Sequence, residues 1–157
     1  MGEYRASPGD LDATGLRFGI VVARYNDPVT SELLAGCRAE LVARGAAEDA
    51  ITTCWVPGAF ELALVAKRLA AAGRVDAVIC LGAIVRGDTA HFDYVAKGAT
   101  EGILRAALDT GIPVVFGVLT VDTHQQALDR IGGKEGHKGQ EAARTAIETA
   151  MLLRDLA

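Results

Sequence analysis

The sequence predicts an α/β fold, a three-layer sandwich with a central parallel sheet and helices on both faces. Three observations carry that prediction. Four apolar runs rich in β-branched residues recur along the 157 residues, at 18–23, 51–56, 77–85 and 114–121. Between them lie segments with apolar residues at helical spacing, closed by Gly45, Gly73 and Gly111. The joints are short, which fits right-handed βαβ units in a single sheet. The runs are apolar throughout rather than alternating, as expected of strands covered on both faces.

Residues 1–15 are polar and read as a flexible N-terminal arm, leaving 16–157 as one domain. Phe18 to Ala23 is the first strand. Asp27-Pro28 then starts a helix, with Asp as N-cap and Pro in the first turn. Leu33, Leu34, Cys37 and Leu41 mark its apolar face, and Gly45 ends it. Ile51 to Val56 is the second strand, Pro57-Gly58 a turn, and Phe60 to Ala72 the second helix. Ala77 to Val85 is the third strand. A polar loop, Arg86 to Thr89, leads into a helix over 91–110. Val114 to Val121 is the fourth strand. Thr123 and Gln126 have capping-box spacing for a short helix reaching Ile131. Gly132-Gly133 interrupts, and a last helix runs from Lys138 to Leu156.

Composition excludes several classes. A net charge of −4 with no basic stripe argues against a nucleic-acid partner. No run approaches the roughly 18 apolar residues that cross a bilayer. The N-terminus lacks the apolar segment of a secretory signal, so the expected address is the cytoplasm. Cys37, Cys54 and Cys80 sit in apolar stretches without CxxC spacing and are expected to be inert buried thiols. His91, His124 and His137 form no metal-ligand pattern, so no metal is expected.

Chemistry in an open α/β sheet sits beyond the carboxyl ends of the strands. After the first strand, Tyr25 and Asn26 offer a ring and an amide to a flat polar heterocycle, or else a cover for the core edge. After the second, Glu61 lies at a helix start, where it can also simply complement the helix dipole. After the third, Gly87, Asp88 and Thr89 form a loop entering a helix N-terminus, a natural anion site. The Asp88 carboxylate opposes an anion unless it points away. His91 follows, and an imidazole there can exchange protons near neutrality. Arg130, Lys134 and Lys138 on a Gly-rich connection can clamp a phosphate, or be ordinary solvated cations.

These same residues resemble the 6,7-dimethyl-8-ribityllumazine synthase family over nearly the whole chain. The resemblance is carried by Arg24-Tyr25-Asn26, VPGAFE (56–61), GAIVRGDTAHFDYV (82–95), PVVFGVLTVDT (113–123) and GGKEGHKG (132–139). It implies a flavodoxin-like sandwich whose N-terminal arm joins a neighbouring subunit's sheet. It implies condensation of 5-amino-6-(D-ribitylamino)uracil with 3,4-dihydroxy-2-butanone 4-phosphate, the penultimate step of riboflavin biosynthesis, with no cofactor. Tyr25 matches the ring that stacks on the pyrimidine. Asn26 stands beside it in the same segment. Ala59, Phe60 and Glu61 match the uracil and ribityl contacts, and Ala83, Ile84 and Val85 match backbone contacts. Asp88 and Thr89 match the phosphate loop, and His91 the proton-transfer residue. Phe116 and Arg130 match residues supplied by a neighbouring subunit, and Lys138 a basic residue near the phosphate. The chain departs from the family in having Ala63 where Pro is common and Tyr25 where Phe is common.

The resemblance further implies a homo-oligomer built from pentamers. The short joint between the last two helices favours the icosahedral shell of sixty subunits, with riboflavin synthase as a possible associate. Two other readings use the same pocket: a riboflavin-synthase paralogue acting on two lumazines, and a non-catalytic flavin or lumazine carrier. The phosphate elements Thr89 and Arg130 argue against the first, and the second would not need His91 together with Arg130.

Overall fold

The computed structural model describes residues 10–157. Its elements in chain order are β1 (Phe18–Ala23), α1 (Asp27–Ala43), β2 (Ile51–Val56), α2 (Leu62–Ala71), β3 (Ala77–Val85), α3 (His91–Thr110), β4 (Val114–Val121), α4 (His124–Leu128), β5 (Ile131–Gly133), β6 (Gly136–His137) and α5 (Lys138–Leu156). The four long strands form one sheet in the order β2-β1-β3-β4, all parallel. Helices α1 and α5 pack together on one face, α2 and α3 on the other. This is the expected three-layer α/β sandwich.

The period-2 geometry of a strand divides the core between these faces. Phe18, Ile20 and Val22 of β1, with Ile79 and Leu81 of β3, pack toward α1 and α5. Val21 of β1, with Val78 and Cys80 of β3, packs toward α2 and α3. All are fully buried, and each large aliphatic side chain so placed contributes about 1.5–3 kcal/mol. Burial pushes the thiols of Cys37 and Cys80 up to about 12, which leaves them inert. Cys54 is only half-buried, because β2 is an edge strand.

Several local expectations are corrected. Asn26, not Asp27, is the cap of α1, and Asp27 lies in the first turn. The second helix starts with a 3-10 turn over Ala59–Glu61 and ends at Ala71. The short helix α4 stops at Leu128; Ile131 belongs instead to a small antiparallel hairpin, β5 with β6, inside the Gly-rich connection. β2 is not covered on both faces, since Thr52 and Trp55 are exposed. Of the expected arm, residues 1–9 lie outside the described residues, whereas Leu11 and Ala13 are buried with the α1–α5 core. No helix among the described residues is long and apolar enough to cross a membrane.

Candidate functional site

The strand order reverses between β1 and β3, because β1 connects to β2 on one side and β3 to β4 on the other. The carboxyl end of such a switch point is where open α/β sheets hold their ligands. The loops after β1, β2 and β3 surround it, and they carry most of the sequence-derived candidates.

Asn26 builds the first wall. It is the only non-glycine residue with positive φ among the described residues, at 64°. Asn tolerates this left-handed conformation better than most residues. The turn lets its carbonyl accept the N–H groups of Val29 and Thr30, at 2.9 and 3.0 Å. Its side-chain Nδ2 donates to the Ala83 carbonyl at 2.8 Å, which ties the β1 loop to β3 across the switch point. Tyr25, 75% exposed, donates its backbone N–H to Pro57 O at 3.0 Å. Its ring is free to meet a ligand.

The loop after β2 is self-braced. The Glu61 carboxylate accepts the Gly58 N–H at 3.1 Å, while the Glu61 N–H donates to Gly58 O at 3.2 Å. The Phe60 ring lies against Gly98 of α3, where any Cβ would come within 2.6 Å of it. Gly98 therefore makes the seat for that ring, which stays largely exposed. Ala59 is buried beneath. On β3, Ala83 and Ile84 are buried and Val85 half-buried, so only their backbones can face a ligand. Asp88, Thr89 and His91 are exposed at the start of α3, with the His91 N–H donating to Thr89 Oγ1 at 3.4 Å.

Phe116, Arg130 and Lys138 belong elsewhere. They line a groove of about 950 Å³ that runs along the free edge of β4, beside α5. No residue of the other three loops lines it. The Lys138 N–H donates to Arg130 O at 2.9 Å through the β5–β6 hairpin, which keeps the two cations together. Lys138 Nζ pairs with Glu141 at 2.8 Å. Arg130 donates to the Gln126 carbonyl at 2.9 Å and has no carboxylate among its ion pairs within the described residues. The described chain thus places the loop candidates at the strand ends, while Phe116, Arg130 and Lys138 line the groove along β4 and Lys134 lies 3.7 Å from Asp129.

Sequence reasoning missed one cluster. Arg86 Nε donates to Asp122 Oδ1 at 2.8 Å, its Nη1 reaches Asp93 Oδ1 at 3.4 Å, and its Cζ sits 4.3 Å from the centre of the Phe92 ring. The Asp122 hydrogen bond holds the guanidinium above its ordinary value, so it stays charged. An arginine at a loop start gives no local signal for a partner on another strand.

With the geometry in hand, the comparison with known families is specific. The family model described as 6,7-dimethyl-8-ribityllumazine synthase matches residues 15–154. The chain belongs to that family, a transferase family whose members imply lumazine synthase activity in riboflavin biosynthesis.

Proposed function

We propose that this family member condenses 5-amino-6-(D-ribitylamino)uracil with 3,4-dihydroxy-2-butanone 4-phosphate to form 6,7-dimethyl-8-ribityllumazine. The observation that supports it best is the set of side chains carried by the three loops at the β1–β3 switch point. There the exposed rings of Tyr25 and Phe60, the Glu61 carboxylate, the His91 imidazole and a loop leading into a helix N-terminus all lie beyond the carboxyl ends of β1, β2 and β3, in a chain of this family.

In this reading Tyr25 stacks on the pyrimidine, with Asn26 beside it. Phe60 and the backbones of Ala59, Ala83, Ile84 and Val85 frame the heterocycle, and Glu61 accepts ribityl hydroxyl protons. The 5-amino group attacks the ketone and loses water to give an imine. Loss of a proton from the adjacent carbon expels phosphate, whose oxygens are received near Thr89, the backbone of Asp88 and the free helix N–H groups. After tautomerisation, the ribityl-bearing nitrogen closes the ring on the remaining carbonyl and a second water leaves. His91 carries protons between these steps. Both reactants are intrinsically reactive, so most of the acceleration comes from holding them together.

Phe116, Arg130 and Lys138 complete the site from a second copy. Their placement along the groove beside the free edge of β4, into which none of the other three loops reaches, supports a ring in which each subunit lends this edge to its neighbour. The proposed assembly is a pentamer, closing further into a shell of sixty, and sedimentation at a pentamer's mass would remove the shell. The deciding experiment follows lumazine absorbance with purified protein and both substrates. Turnover above the uncatalysed rate is expected. Tight lumazine binding without turnover would instead make the pocket a carrier and overturn the roles of His91 and Arg130.

A further inference from the structure

The loop Gly87–Ala90 carries the proposed phosphate contacts, yet little inside it defines its shape. Gly87 borders open space. Thr89 Oγ1 accepts only a long bond from the His91 N–H, and the Ala90 carbonyl accepts from Asp93 and Tyr94 in the first turn of α3. The loop's conformation is therefore set at its ends, and one side chain holds both. Arg86 immediately precedes the loop. Its N–H donates to Val121 O at 2.9 Å, which fastens the exit of β3 to that of β4. Its side chain reaches over the loop to Phe92 and Asp93, the second and third residues of α3, while gripping Asp122 on the β4 side. Asp122 is itself anchored, its N–H donating to Gln126 Oε1 at 2.7 Å.

We infer that Arg86 is a positioning residue, a clasp that joins the two ends of the Gly87–Ala90 loop and thereby fixes Thr89 and His91 against the phosphorylated substrate. This rests on the reading of Asp88, Thr89 and His91 given above. Exposed ion pairs taken singly stabilise a fold little. Here two carboxylates and a ring share one planar guanidinium, so a single ordering cost serves three contacts. The consequence falls on geometry rather than on stability, because a misplacement near 1 Å at a reacting group can cost on the order of 10²-fold in rate. An ammonium has no planar fork to divide between Asp93 and Asp122 while stacking on Phe92.

The test compares Arg86→Ala and Arg86→Lys with the unmodified protein. Steady-state kinetics vary each substrate in turn, and amide hydrogen exchange is followed at Asp93 and Tyr94. In both variants KM for the butanone phosphate should rise about tenfold and kcat should fall, with KM for the pyrimidine within about twofold of the original. Exchange at Asp93 and Tyr94 should quicken about tenfold while the strands are unchanged. If Arg86→Ala does not fold, Asp93→Asn, which removes only the far contact, carries the same test with a smaller shift. Two unchanged KM values, or Arg86→Lys at original values, would overturn the positioning role. If the unmodified protein makes no lumazine, it is the proposed reaction that fails. Exchange then decides alone, an increase supporting the clasp and no increase overturning it.

Discussion

The loops beyond β1, β2 and β3 and the free edge of β4 are built by different means. At the loops, backbone and side-chain bonds run between segments distant in sequence: Asn26 to Ala83, Tyr25 to Pro57, and Phe60 onto Gly98. These ties hold the loops after β1 and β2, while Tyr25 and Phe60 present exposed rings. At the β4 edge the order is local. Arg130 is held by Gln126, four residues away, and Lys138 by Glu141, three residues away. The loops hold an imidazole and a helix N-terminus. The edge holds an aromatic ring and two cations. The two cations of the edge complement an anion held at that N-terminus, which is the physical argument for a site shared between copies.

Removing the reactive group from the loop half should have the largest effect. His91→Ala is expected to keep partial activity in the lumazine absorbance assay, with kcat falling by no more than the roughly 10²–10⁴-fold of general acid–base catalysis. Undiminished turnover would take His91 out of the mechanism. On the edge half, Arg130→Ala loses a charge-assisted bond worth about 1.5–3 kcal/mol, so KM for the phosphorylated substrate should rise about 10–100-fold. KM for the pyrimidine should hardly move. An unchanged phosphate-side KM would refute the clamp.

Mixing these two variants probes the comparison directly. Each alone has every site damaged. If the halves come from adjacent copies, unfolding and co-assembling equal amounts should make about a quarter of the sites whole, since each requires one intact partner of each kind. A mixture no more active than the average of the two would place His91 and Arg130 in the same subunit's site.

The difference between the regions also explains what could be read in advance. All four sheet strands match their expected bounds, because each is a short apolar and β-branched run bounded by polar or turn residues. The Thr123–Gln126 cap was legible for a similar reason, since both partners lie within one turn. Asn26 was legible as a candidate but not as the cap. Its role depends on a left-handed backbone and on Ala83, a residue 57 positions away. The exposure of Thr52 and Trp55 follows from strand order, which no local pattern encodes. The β5–β6 hairpin hides in a glycine-rich stretch without an apolar period. Arg86 carries no local signal, because its partners come from β4's exit and α3, and only the fold brings them together.

The smallest expected effect tests whether α5 merely carries the edge half or tunes it. Glu40 of α1 accepts from Arg44 Nε and from Arg144 Nε of α5, both at 2.9 Å, so it ties the two helices. Burial pushes its carboxyl up, but the hydrogen bonds of Arg144 and Arg44 outweigh that and leave it below the ordinary range. Glu40→Gln should therefore cost about 1–2 kcal/mol near neutrality, the value of charged hydrogen bonds reduced for solvent screening. The sign with pH follows from the lowered value. The carboxylate's contribution is fully present above its unfolded pKa of about 4.3 and is lost as pH falls through the lower folded value. Urea unfolding midpoints of the two proteins should differ at about pH 7 and converge on acidification toward about pH 3. A gap that persists at low pH would assign the loss to packing rather than charge. If α5 only carries Lys138, neither KM changes in Glu40→Gln. A rise confined to the phosphorylated substrate would show that the α1–α5 tie reaches the groove along β4.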